Sequence, residues 1–256
     1  MGKNKLRKFA EMEQIPFVFQ YPFGVLRESG GFPLRGHWHS EFFHNDRPIV
    51  LELGCGKGEY TVGLAKLFPD KNFIGIDIKG ARMWTGARQA QVDGMTNVAF
   101  LRTSIELLSE FFAPGEVSEI WITFPDPQMK KTRKRLTAPN FLEMYRGVMS
   151  PGGLIHLKTD SPFLYTYTRR LATDNGLTIH TDTADLYHSG LADKILSIRT
   201  HYEQQWLDRG LTIKYLVFDP GTAPLHDVTE DDIDHDTYRS YSRGYIQCPQ
   251  LLEQND

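Results

Sequence analysis

The chain has 256 residues, 40% of them hydrophobic and 24% charged, with a formal net charge of −3. That length buries a substantial core, and so ordinary a composition excludes a disordered or fibrous chain. No apolar run approaches the roughly 20 residues that cross a bilayer, and Cys55 and Cys248 are too few for a disulfide framework or a zinc centre.

The N-terminus, MGKNKLRKFAEMEQ, is basic but lacks the apolar stretch of a signal peptide, and Leu6 stands where a myristoylation signal needs Ser or Thr. A cytoplasmic location with reduced thiols is expected. Residues 1–47 show poor periodicity and many aromatics, which predicts an arm packed on a main domain. His37 and His39 flank Trp38 with no further ligands nearby, so no metal is expected.

From Pro48 the pattern becomes regular. IVLEL (49–53) is a continuous apolar run, as buried parallel strands are. NFIGIDI (72–78), VAFLR (98–102), EIWITF (119–124) and LIHLKTD (154–160) are further strands, separated by helix-length stretches. Strand and helix alternating in this way means βαβ units and a mostly parallel sheet. LTIHTD (177–182) and IKYLVF (213–218) are later strands. The expected fold is α/β: a doubly wound, Rossmann-like sheet with an antiparallel strand near its C-terminal end, spanning 48–218. Residues 219–256 form an acidic extension, expected to be exposed and mobile. Residues 226–256 hold eight acids and two arginines, so the rest of the chain is net basic despite the overall sign.

The first turn, LELGCGKGEY (51–60), follows strand one and opens a helix. Gly54, Gly56 and Gly58 allow a tight turn and close approach to a ligand. A dinucleotide fingerprint needs Gly at 59, where Glu stands, and no Gly-Lys-Ser/Thr of a phosphate loop is present. Instead Glu52 precedes the loop and Asp77 ends strand two. S-adenosylmethionine brings an ammonium group and a ribose diol and no phosphate. Glu52 suits the ammonium and Asp77 the diol.

Strand four delivers Phe-Pro-Asp-Pro to the carboxyl edge of the sheet, where ligands of open α/β folds sit. Pro125 and Pro127 restrict the backbone on either side of Asp126. An ionised carboxylate only accepts hydrogen bonds, and the N1–H and N2–H₂ edge of guanine offers two adjacent donors. Lys130, Lys131, Arg133, Lys134 and Arg135 follow, a block suited to nucleic-acid phosphates. Nearer the C-terminus, Thr200 and Glu203 of THYE precede QQWLDRG, which is also the pattern of a helix-capping box ended by Gly210.

Together LELGCGKGEY, NFIGIDI, ITFPDPQMKK, KRLTAPNFL and PGGLIHLKTD resemble the bacterial tRNA (guanine-N7-)-methyltransferase family over about residues 48–218. The resemblance implies methyl transfer from S-adenosyl-L-methionine to a variable-loop guanosine (position 46) of tRNA. It implies cofactor positions at Glu52, Gly54, Gly56, Asp77, Thr103 and Asp126, with Asp126 also catalytic. It implies substrate positions at Lys130, Asp160, Thr200 and Glu203. The chain departs from the family in three places. Thr103-Ser104 stands for the usual Asp-Ala, Gln128 for a common Trp, and the basic segment is about two residues shorter. A methyltransferase for a small molecule or protein, or a non-catalytic nucleic-acid-binding protein of the same fold, stays open at this level.

Overall fold

The structure is a computed structural model and describes residues 3–193, 195–196, 198 and 200–238. Its strands are β1 (Val18–Gln20), β2 (Ile49–Leu53), β3 (Asn72–Ile76), β4 (Val98–Arg102), β5 (Val117–Thr123), β6 (Met149–Thr159), β7 (Ile179–Thr183) and β8 (Lys214–Phe218). They form one sheet in the order β1-β4-β3-β2-β5-β6-β8-β7. Neighbours from β1 to β6 run parallel, and β8 lies antiparallel between β6 and β7. The expected Rossmann-like fold with an antiparallel strand is therefore present.

Register explains why the functional ends of these strands converge. Leu101, Ile76, Leu53, Ile122 and Leu157 lie in one row across β4, β3, β2, β5 and β6. Whatever follows each of them emerges at the same edge. Five buried residues in both β2 and β3 reflect helices on both faces of the sheet.

Those helices are α1 (Lys3–Glu13), α2 (Phe23–Glu28), α3 (Glu59–Leu67), α4 (Gly80–Val92), α5 (Leu108–Phe111), α6 (Pro139–Arg146), α7 (Pro162–Asp174) and α8 (His201–Leu207). One core layer joins Leu51, Leu53 and Ile76 to Phe111, Tyr145 and Tyr167 of α5, α6 and α7. The other joins Val50, Phe73 and Phe100 to Tyr60, Met83 and Ala87 of α3 and α4. Alternation of Val50 and Leu51 between the layers is the two-residue period of a strand. Proline at the first helical position starts α6 and α7, where a missing N–H costs no bond. The Ser161 hydroxyl caps α7 by accepting from the Leu164 N–H at 2.9 Å.

The N-terminal arm does more than pack on the domain. Its β1 extends the sheet beside β4, pairing Val18 with Phe100. Fully buried Trp38 meets Phe19, Phe32 and Phe42 and stacks on Phe112, with ring centroids 5.6 Å apart in that last pair. Aromatic packing takes the place of the periodicity that the arm lacks.

As far as residue 238 the acidic extension is tied to the domain through several of its acids, although Asp227, Asp231, Asp232 and Asp234 remain exposed. Asp227 accepts from the Tyr167 hydroxyl at 2.6 Å, and Asp232 pairs with Arg170 through both carboxylate oxygens. Asp236 is buried and accepts from the Ser161 hydroxyl at 2.5 Å and the Phe163 N–H at 3.1 Å, at the start of α7. Charge content in the sequence does not reveal that α7 supplies matching donors. The rest of the extension, with Cys248, lies outside the described residues.

Candidate active site

The glycine turn after β2 is held by β3. The N–H groups of Gly54 and Cys55 both donate to the Ile76 carbonyl, at 2.8 and 3.0 Å. Gly54, Gly56 and Gly58 all have positive φ, at 75°, 55° and 72°. At Gly58 the need is also steric, because a Cβ would lie 2.6 Å from the Phe100 ring. Gly86 of α4 answers it: a Cβ there would meet the Lys57 carbonyl at 2.7 Å. A helix glycine and a loop glycine thus let α4 close directly on the turn.

Asp77 follows β3 and joins the same turn. One of its oxygens accepts from the Gly56 N–H at 2.9 Å and the other from the Lys79 N–H at 2.7 Å. Each oxygen keeps acceptor capacity for a hydroxyl. The carboxylate is thereby aimed before any ligand arrives.

Glu52 is 3% exposed. Its carboxylate accepts from the Thr61 N–H at 2.8 Å, from the Thr61 hydroxyl, and from the Thr123 hydroxyl at 2.6 Å. It ties β2 to the first turn of α3 and to the end of β5. Burial pushes its pKa up to about 7 against the pull of the Thr123 and Thr61 hydrogen bonds. Of about four lone-pair positions on a carboxylate, three are taken by the protein. An ammonium would share this group rather than own it.

Thr103, after β4, is 1% exposed, and its hydroxyl has no hydrogen-bond partner among the described residues. Buried hydroxyls are normally satisfied. An unpaired one at the carboxyl edge, on the strand beside Asp77, suits a polar ligand edge. With the open glycine turn and Asp77, the residues present fit a nucleoside with an amino-acid tail.

Asp126 projects from the end of β5 and is exposed, between buried Pro125 and Pro127. Phe124 and Gln128, flanking the motif, have φ of 49° each, an uncommon conformation for side chains of that size. The Phe124 N–H is anchored on the Lys158 carbonyl at 2.8 Å. The Gln128 N–H donates to Asp126 Oδ1 at 3.0 Å. The turn is therefore strained, braced and open to solvent at its acid.

The basic block does not act as one surface. Arg135 is fully buried, with its guanidinium among protein acceptors, so it is no phosphate contact. Lys134 pairs with Glu106 at 2.9 Å on the surface. Lys130, Lys131 and Arg133 are exposed beside the Asp126 turn. Reading charge along the sequence missed that a three-residue helical turn at Thr132–Lys134 swings Arg135 inward.

Asp160, after β6, is fully buried. Its Oδ2 accepts from the Tyr238 hydroxyl at 2.6 Å, and its carbonyl from Lys214 Nζ at 3.1 Å. Thr200 caps α8, its hydroxyl accepting from the Glu203 N–H at 3.1 Å. Glu203 turns inward, fully buried, 2.9 Å from Lys158 Nζ and 2.6 Å from the Tyr187 hydroxyl. So Glu52, Asp77, Thr103, Asp126 and Asp160 all stand at the carboxyl ends of adjacent strands, whereas Glu203 reaches that edge through Lys158. Lys158, Tyr187, Glu230 and Tyr238 carried no signal in the sequence, because each acquires its partner only across the fold.

A family model described as "Putative methyltransferase" matches residues 46–216. A tRNA (guanine-N(7)-)-methyltransferase of Porphyromonas gingivalis is 66% identical, covering 91% of this chain and 97% of that relative. Its counterpart in Bacteroides fragilis is 59% identical, over 95% of this chain and 96% of the relative. Among solved structures, the 16S rRNA methyltransferase KamB superposes with a TM-score of 0.53 at 15% identity, covering 70% of this chain and 90% of that one. At that identity the likeness is one of fold.

Proposed function

The chain belongs to the tRNA (guanine-N7-)-methyltransferase family, and from that premise we propose that it methylates N7 of the variable-loop guanosine at position 46 of tRNA. The observation that carries this reading is the exposed Asp126, held on a braced turn at the edge where Asp77 and the unpaired Thr103 hydroxyl converge.

S-adenosyl-L-methionine supplies an electrophilic methyl group on a sulfonium. The backbone of Gly54 and Gly56 would hold its amino-acid and ribose portion, Asp77 would accept from the ribose hydroxyls, and Glu52 would share its remaining lone pair with the ammonium. The Thr103 hydroxyl would take the adenine side, the role that the resemblance gives to an Asp elsewhere in the family.

Guanine N7 carries a lone pair and needs no deprotonation, so Asp126 is not a general base. Its role is to accept from the N1–H and N2–H₂ edge and hold N7 in line with the methyl group. The methylated ring is cationic, and the carboxylates of Asp126 and Asp160 stabilise that charge as it develops. The base leaves its stack to reach this edge. Lys130, with Lys131 and Arg133, meets the phosphates around it. Thr200 and Glu203 support the substrate side, Glu203 through Lys158.

The test is transfer of labelled methyl groups from S-adenosylmethionine to bulk unmodified tRNA, followed by nucleoside analysis. 7-Methylguanosine from the variable loop is the expected product. Any other methylated nucleoside, or label confined to small molecules or protein, overturns the proposal.

A further inference from the structure

Arg135 is a charged side chain with no solvent exposure, so every direction of its guanidinium must be accounted for. Nε donates to the Pro127 carbonyl at 3.1 Å, and Nη2 to the Gln128 carbonyl at 3.2 Å. Nη1 donates to Glu230 at 2.7 Å. The guanidinium carbon lies 3.9 Å from the Tyr167 ring centroid and 4.8 Å from that of Phe163. Tyr167 is itself fixed by Asp227, and Glu230 accepts a second bond from the Thr132 hydroxyl at 3.3 Å. Asp227 and Glu230, in the part of the acidic extension from 219 to 238 that forms a C-terminal strap on the domain, therefore set the orientation of this one side chain.

The bond to the Pro127 carbonyl has a particular consequence. That carbonyl and the Gln128 N–H belong to one peptide group, which is planar and trans. Fixing the direction of the oxygen fixes the opposite direction of the N–H. The Gln128 N–H points at Asp126 Oδ1, 3.0 Å away. Drawing electron density to the carbonyl also strengthens the N–H as a donor. The second bond, to the Gln128 carbonyl, holds that residue in its left-handed conformation at φ 49°.

We propose that Arg135, oriented by Glu230, is a positioning residue for Asp126, acting through the Pro127–Gln128 peptide, and that the C-terminal strap is thereby part of the active site. A lysine cannot replace it. One ammonium does not serve three separate acceptors and two flanking rings at once. This inference rests on the proposed role of Asp126 in orienting guanine.

The test uses the full chain and compares wild type, Arg135→Lys, Arg135→Met and Glu230→Gln. Single-turnover methyl transfer to unmodified tRNA is measured beside KM for tRNA, Kd for S-adenosylhomocysteine, and Tm. The methyl-transfer rate constant should fall by about 10-fold or more in Arg135→Lys, as expected when a reacting group loses its aim. Arg135→Met should fall further and Glu230→Gln less. KM and Kd should stay within about twofold in Arg135→Lys and Glu230→Gln, a split that general loss of structure does not produce. In an Asp126→Asn background, Arg135→Lys should add little, because the two act in series.

A wild-type rate in Arg135→Lys and Glu230→Gln overturns the inference. So does a loss that appears equally in cofactor affinity, or one fully additive with Asp126→Asn. If Arg135→Met does not fold, Glu230→Gln, altered at a partly exposed position, decides the matter. A wild-type enzyme that leaves guanosine unmethylated defeats the functional reading itself, whereas an active wild type with unimpaired variants defeats only this inference.

Discussion

Replacing Thr103 by Val exchanges a buried hydroxyl for a methyl group of nearly the same shape, and it should move stability and cofactor affinity in opposite directions. Thr103 is 1% exposed and its hydroxyl has no partner among the described residues. A buried hydroxyl without a partner costs roughly 1–3 kcal/mol. Removing it should therefore stabilise the ligand-free protein by about 1 kcal/mol, or about 2–4 °C in Tm for a domain of this size. If the same hydroxyl bonds the adenine, its loss removes about 0.5–1.5 kcal/mol of binding, which weakens Kd by roughly 2–10-fold. Thermal unfolding without ligand gives the first quantity, and calorimetric titration with S-adenosylhomocysteine gives the second. A lower Tm together with an unchanged Kd would refute the assignment, since the hydroxyl would then be satisfied within the protein and remote from the cofactor.

Four further outcomes follow from the same geometry. Asp126→Asn should lower methyl transfer by about 10²-fold with cofactor Kd nearly unchanged, the signature of lost positioning; near-normal turnover sinks the role given to Asp126. Glu52 has its pKa raised from 4.5 to about 7, so the folded protein holds a proton that the unfolded chain has released across that window. Its contribution to stability is full below about 4.5 and lost as pH rises through about 7, on the order of 3 kcal/mol. Urea unfolding at pH 5 and pH 8 should show that decline in wild type and a flatter profile in Glu52→Gln, and parallel profiles would exclude the titration. Charge reversal at Lys130, Lys131 and Arg133 should raise KM for tRNA about 10-fold and flatten its salt dependence, by roughly 0.7–0.9 in log–log slope per lost phosphate contact; an indifferent KM would point to a small substrate. Lys158→Met should cost about 3–5 kcal/mol by stranding the Glu203 charge, with much of it recovered in Lys158→Met/Glu203→Leu. Denaturant titrations showing simple additivity would contradict the pairing.

Strand positions were legible in the sequence because burial on both faces leaves uninterrupted apolar runs. IVLEL coincides with β2, and NFIGIDI and VAFLR contain β3 and β4. The glycine turn and the proline-bracketed acid were legible for a related reason: both are local backbone devices whose residues are neighbours in the chain. The three-residue β1 was not, because so short a strand has no period to detect and is held by aromatic contacts with Trp38 and Phe32.

Thr200 and Glu203 show the boundary within a single motif. The cap is local, and the Thr200 hydroxyl does accept from the Glu203 N–H. The Glu203 carboxylate, however, leaves the helix end for Lys158, 45 residues away. Lys158 sits on β6 opposite Thr123, and that register brings it beneath the Asp126 turn.

By itself the sequence determined the order of the strands' apolar runs, the tight turn after β2, and the acids that end adjacent strands. Each of these follows from near-neighbour geometry and from which side chains water rejects. The tertiary structure alone decided which charges face solvent. Lys130, Lys131 and Arg133 stay outside, while Arg135, no different in a count of cations, is buried against two rings and three acceptors. Asp227, Glu230, Asp232 and Asp236 likewise became struts on α7 and the Asp126 turn, and Asp236 is buried there because the fold brings it the Ser161 hydroxyl and the Phe163 N–H.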